Sequence, residues 1–137
     1  MNLKTAMTLG RVSNLPTVWT NMMAAIALVG ASITDSRTLP ILAALTLFYI
    51  GGMFLNDAFD AEIDAKERPE RPIPSGQVSK DTVFGWGFGL LAAGLMLLIW
   101  IGRSFPDSTG MWPAIGGLGL AATIVAYNRN HKGNPVS

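Results

Sequence analysis

An all-α bundle of about four membrane-spanning helices is the fold class this 137-residue chain predicts, from three observations. Half of the residues are hydrophobic and only 14% are charged, with a mean hydropathy of +0.37, whereas soluble domains are usually about 25% charged. The apolar residues fall in runs of near-spanning length, separated by polar or proline-containing stretches. Those runs are rich in Ala, Leu, Met and Gly and lack period-2 alternation, so helices are favoured over barrel strands.

The first span is expected over residues 15–31. A cleaved leader is the competing reading there, since Val29, Gly30 and Ala31 resemble a small-residue cleavage site. Asn14, Pro16, Thr17, Thr20 and Asn21 interrupt the apolar core such a leader needs and better suit polar groups facing an internal cavity. The second span is expected over residues 39–55, the third over 83–101 and the fourth over 111–127. Gly85 with Gly89, and Gly116 with Gly117 and Gly119, are candidate positions for close helix approach. Lys4, Arg11, Lys66, Arg68, Arg71, Lys80, Arg129 and Lys132 all fall on one side of these spans, leaving only Arg37 and Arg103 on the other. Positive charge in short loops stays cytoplasmic, so both termini and the loop between the second and third spans are expected there.

Composition removes several function classes. With ten basic and nine acidic residues the net charge is +1, and no global field argues for nucleic acid as a partner. The absence of cysteine removes disulfides, thiol nucleophiles and Cys-based zinc sites, and a single histidine, His131, makes no His-rich metal cluster.

Chemistry concentrates in residues 56–76, NDAFDAEIDAKERPERPIPSG, directly after the second span. If that helix continues, 100° per residue puts Asn56 at 0°, Asp60 at about 40°, Asp64 at about 80° and Asp57 at about 100°, with Glu62 at about 240° on the other side. Four oxygen-bearing side chains then share one face. Crowded carboxylates repel, and a cation should offset them; a hard divalent ion such as Mg2+, completed by phosphate oxygens, suits such ligands. Arg68 and Arg71 are placed to fork onto anionic oxygens, and the prolines at 69, 72 and 74 turn the stretch into a loop over the site. The plain alternative is a solvated loop of mixed charge.

At these residues the sequence resembles the UbiA-type intramembrane prenyltransferases. NDAFDAEID, residues 56–64, matches the family's NDxxDxxxD motif, and RPIPSGQVS, residues 71–79, is similar to the segment that follows it. The resemblance implies an enzyme of membrane helices that moves a prenyl group from an allylic prenyl diphosphate to an aromatic, quinone-precursor or lipid acceptor. It implies Asn56, Asp57, Asp60 and Asp64 as ligands of Mg2+, with Asp57, Asp60 and Asp64 as the catalytic carboxylates. Arg68 and Arg71 would be charge partners of the diphosphate. RVSNLP, residues 11–16, resembles the start of the first family helix and brings Arg11 and Asn14 to the substrate. YNRNHKGN, residues 127–134, resembles the stretch after the fourth and makes Lys132 a diphosphate contact. The same residues suit ordinary roles: Arg11 as a positive-inside anchor, Tyr127 as an interfacial aromatic, and His131 and Lys132 as tail charges.

Family members have about nine helices and a second aspartate motif. Asp35, Asp81 and Asp107 are singletons here and do not supply it. Residues 1–137 are therefore expected to form the N-terminal part of the domain, inactive alone, or to pair with a second half-chain or another copy. Three rivals stand beside this reading. A CDP-alcohol phosphotransferase needs a glycine where Ala58 follows Asp57. A transporter usually carries its carboxylates at mid-membrane. A non-catalytic membrane subunit would tolerate loss of Asp60.

Overall fold

The computed structural model describes residues 1–105 and 110–130, and every regular element in them is helical. Six helices follow in order: α1 (Leu3–Leu9), α2 (Leu15–Leu28), α3 (Thr38–Phe59), α4 (Ala61–Glu67), α5 (Lys80–Ser104) and α6 (Trp112–Asn130). A 3-10 turn, Val12–Asn14, joins α1 to α2.

Two of the four expected spans, α3 and α5, are long and apolar enough to cross a membrane. Their 22 and 25 residues reach about 33 and 38 Å at ~1.5 Å per residue, against a hydrocarbon core of ~30 Å. The expected first span is cut short. α2 stops at Leu28 because Gly30 takes a left-handed φ of 69°, letting the Ala31 N–H return to the Ile26 carbonyl at 3.0 Å. That leaves 14 residues, about 21 Å. Asp35 closes the turn into α3 by accepting from Arg37 Nε at 2.9 Å and Nη2 at 2.8 Å.

α3 and α5 form the centre of the bundle. The buried residues of α5, Val83, Gly87, Leu91, Gly94, Leu98 and Ile101, recur every three or four positions and so form one stripe. This stripe packs on Ala44, Phe48 and Leu55 of α3. The glycines that permit the approach are not the expected ones. A Cβ on Gly51 would meet the Gly87 carbonyl oxygen at 2.9 Å, and one on Gly94 would meet that of Ala44 at 3.2 Å, whereas Gly85, Gly89, Gly116 and Gly119 face open space. Only Gly117 of the five expected positions lies at a helix contact, against Leu98 and Phe48. Periodicity misassigned them because glycine spacing alone does not say which face of a helix is covered.

α6 returns parallel to α3, with Gly117 beside Phe48, Ile124 beside Gly52 and Asn128 beside Asn56. A second cluster, Leu9, Phe54, Ala58, Val78 and Val83, with Ile73 against it, ties α1 and the loop before α5 to the same end of α3. Ser79 caps α5 by accepting from the Thr82 N–H at 3.2 Å. The acidic end of α3 thus gathers α1, the proline-rich loop and the end of α6.

Candidate functional site

The helix carrying the aspartates does not run straight through them. α3 ends at Phe59, Asp60 takes φ −85° and ψ −3°, and α4 starts at Ala61. The ladder is nearly continuous across the joint, since the Asp60 N–H bonds the Asn56 carbonyl at 3.0 Å and the Asp64 N–H bonds that of Asp60 at 2.8 Å. The expected face therefore survives as two linked pairs. Asn56 Nδ2 donates to Asp60 Oδ2 at 3.3 Å, and Asp57 and Asp64 meet at one guanidinium. Glu62 lies outside, its side chain 88% exposed and 3.5 Å from Lys80.

Asp57, Asp60 and Asp64 are all buried, an arrangement that demands compensation because an unpaired charge removed from water is costly. For Asp57 and Asp64 two arginines supply it. Arg71 Nη1 lies 2.7 Å from Asp64 Oδ2 and 3.3 Å from Asp57 Oδ1. The loop that delivers it is fixed by the Ser75 N–H bonding the Arg71 carbonyl at 2.9 Å and by Ile73 and Val78 in the core. Arg11 Nη2 donates at 3.4 Å to both Asn56 Oδ1 and Asp57 Oδ1. Its backbone is left-handed, with φ 44° and ψ 47°, which turns the chain from α1 into the 3-10 segment. The Asp64 Oδ1 atom is buried and has no hydrogen-bond partner among the described residues.

The remaining expected residues are less engaged. Asn14 is exposed at the end of the 3-10 turn and shares a hollow with Arg11 and Lys4 rather than with the aspartates. Arg68 is exposed and makes no ion pair among the described residues. Lys132 and His131 lie outside the described residues. Among the described residues no three acidic or histidine side chains stand close enough together to hold a metal ion as placed, and Arg71 bridges Asp57 and Asp64.

One residue escaped the sequence reading. Asn128 is buried in the last turns of α6, donates Nδ2 to the Gly52 carbonyl at 3.1 Å and accepts from Asn56 Nδ2 at 3.4 Å. Its signal was a lone amide at the end of an apolar helix, with nothing local to name its partner 72 residues away. Beside it a hollow of about 500 Å³ opens between α3 and α6, walled by Phe48, Met53, Ile124 and Tyr127 and reaching Arg11 and Asn56.

One of two helices long and apolar enough to cross a membrane thus ends in buried carboxylates and arginines beside an apolar hollow, in a protein of the integral-membrane class. The chain belongs to the UbiA prenyltransferase family, whose sequence profile matches residues 15–136. Among its relatives is the digeranylgeranylglyceryl phosphate synthase of Methanothrix thermoacetophila, 40% identical over 79 residues, which are 56% of this chain and 30% of that protein. The synthase of the same name from Methanopyrus kandleri is 37% identical over 97 residues, 71% of this chain and 32% of the relative. That of Methanoregula boonei is 42% identical over 59 residues, 43% of this chain and 21% of the relative. The chain thus spans a third or less of these relatives. No solved structure matches it.

Proposed function

We propose that this chain forms the diphosphate-binding end of a UbiA-type prenyl transfer site, taking an allylic prenyl diphosphate. One observation carries the reading: Arg11 and Asn56 belong both to the carboxylate cluster and to the apolar hollow between α3 and α6. A ligand with an anionic head and a hydrocarbon tail is matched at both ends of that surface.

Asn56, Asp57, Asp60 and Asp64 are the residues that would hold Mg2+. The fit rests on an all-oxygen donor set of the kind this ion selects, and on the buried Asp64 Oδ1 that lacks a partner among the described residues. Mg2+ bound there supplies neutralisation of the charge that grows on the diphosphate oxygens as they leave. Arg11, with Arg68 and Arg71 from the loop and Lys132 from the tail, donates N–H bonds to the same oxygens. Asn14 extends this polar rim. Phe48, Met53 and Ile124 exclude water from the allylic carbon and seat the prenyl chain. The carbon–oxygen bond to diphosphate breaks, a bond to the acceptor forms, and the acceptor gives up a proton.

The relatives' names favour a lipid acceptor over an aromatic one, and we extend the reading to transfer of a geranylgeranyl group to a glyceryl phosphate lipid. The site, both termini and the loop before α5 would then face the cytoplasm, because basic residues in short loops favour that side. The decisive experiment is binding of geranylgeranyl diphosphate to the detergent-purified chain with and without Mg2+, for wild type and Asp60→Ala. Metal-dependent binding that disappears in Asp60→Ala is expected; binding indifferent to both metal and substitution would overturn the reading.

A further inference from the structure

We propose that Arg71 is a resident counter-ion, occupying the place between Asp57 and Asp64 until a divalent cation displaces it and sends its guanidinium to the anionic ligand. The proposal rests on the reading above that the aspartate cluster takes such a cation. Three features of the site support it.

The first is how Arg71 binds. Both carboxylates are held by the same atom, Nη1, at 2.7 and 3.3 Å, so the guanidinium makes a one-nitrogen bridge and not the two-pronged fork that gives arginine–carboxylate pairs their strength. Nε and Nη2 have no partner among the described residues. An incomplete bridge of this kind is exchangeable, and its spare donors are available to a second anion.

The second is what the bridge leaves undone. Asp64 is 1% exposed, yet its Oδ1 accepts no hydrogen bond among the described residues. A structural ion pair built only for stability would be expected to satisfy both oxygens, because an unpaired buried acceptor forfeits its hydration without return.

The third is how the side chain is mounted. The backbone at Arg71 is fixed by turn hydrogen bonds, with Pro72 buried and Ile73 packed in the core, while the side chain retains 20% exposure. The guanidinium can therefore swing outward by side-chain rotation without moving the loop. A cation on Asp57 Oδ1 and Asp64 Oδ2 needs the oxygens that Nη1 now holds, so the two compete directly. Displaced, Arg71 adds its charge to an arriving diphosphate, which makes cation and anion binding mutually reinforcing.

The test measures Mn2+ binding, read by the electron paramagnetic resonance of free Mn2+, to the detergent-purified full chain without any diphosphate. Arg71→Gln is expected to tighten Mn2+ binding by about tenfold, because the competitor is gone. Lys66→Gln, which removes an exposed charge on the neighbouring α4, is expected to change it by less than about twofold. Inorganic pyrophosphate is expected to strengthen Mn2+ binding in wild type and in Lys66→Gln, and to do so less in Arg71→Gln. If Arg71→Gln is no tighter than Lys66→Gln, the resident counter-ion is refuted while the metal site stands. If wild type and Arg71→Gln both leave millimolar Mn2+ free, the metal reading falls and this proposal with it. Should Arg71→Gln not fold, Arg71→Met decides: it keeps the aliphatic stem without the charge, so tighter Mn2+ binding than wild type supports the exchange and unchanged binding overturns it.

Discussion

Arg11 holds a left-handed backbone, a conformation that costs an L-residue other than Gly, Asn or Asp about 1–2 kcal/mol, and in return places its guanidinium on Asn56 and Asp57. Conformation and charge can be separated with two substitutions that both remove the guanidinium. Arg11→Gly relieves the strain and Arg11→Ala does not, so the glycine variant is expected to be more stable by about 1 kcal/mol in thermal melts. Under the proposed diphosphate role of Arg11, both are expected to lose affinity for prenyl diphosphate to the same extent, because only the side chain would reach that ligand. An alanine variant as stable as the glycine one would show that the backbone at position 11 relaxes once the arginine is removed. Asn128 makes the complementary case, a buried side chain on the wall of the hollow that also sets the orientation of another residue. By accepting from Asn56 Nδ2 it leaves Asn56 Oδ1 turned to Arg11. Asn128→Ala removes a second, buried hydrogen bond from the Gly52 carbonyl, which keeps its helical partner, and is expected to cost about 0.5–1.5 kcal/mol. The same melts check it, and a loss well under that range would mean that water reaches the carbonyl.

At the scale of elements, the α3–α5 contact depends on backbones meeting where side chains are absent. Gly51→Ala should gain up to about 1 kcal/mol from helix propensity anywhere open, but here its Cβ would stand 2.9 Å from the Gly87 carbonyl oxygen, which is backbone and cannot step aside. Net destabilisation of this variant is expected, with Gly89→Ala neutral or stabilising because nothing lies within 4 Å of it. Thermal melts of the pair in detergent would show the difference, and equal melting would mean that α3 and α5 sit farther apart. This contrast also marks the limit of what the sequence disclosed. Hydropathy and helical period are local properties, so α3 and α5 were legible to within four residues at their ends, and so was the separation of Glu62 from the other acids. Gly51, Gly87 and Asn128 take their roles from partners on other helices, and no spacing along one chain segment encodes those. Arg71 lay between: its proximity to the aspartates was legible, but its seat between Asp57 and Asp64 depends on how Ile73 and Val78 dock the loop. The early stop of α2 was written in Gly30, which the continuous apolar run concealed.

At the scale of the whole molecule, chain direction and charge make the same demand. α3 and α6 run parallel, α5 packs against both in the opposite sense, and α1, the loop before α5 and the last turns of α6 all collect around the aspartates. Lys4, Arg11, Lys66, Arg68, Arg71, Lys80 and Arg129 are therefore at one end of the bundle, with Arg37 and Arg103 towards the other. A bilayer converts that asymmetry into an orientation, since basic segments resist transfer across it. The chain has no cysteine, which makes the orientation directly measurable with single substitutions. Ser75 lies exposed in the loop beside the aspartates, and Ser32 lies exposed in the turn between α2 and α3. In intact cells an impermeant thiol reagent is expected to label Ser32→Cys and spare Ser75→Cys; in inverted membrane vesicles the pattern should reverse. Labelling of Ser75→Cys from outside would put the carboxylate cluster on the face away from cytosolic prenyl diphosphates. Labelling of both from one side would mean that α3 does not cross the membrane at all, and that its 22 apolar-rich residues serve instead as a buried core helix.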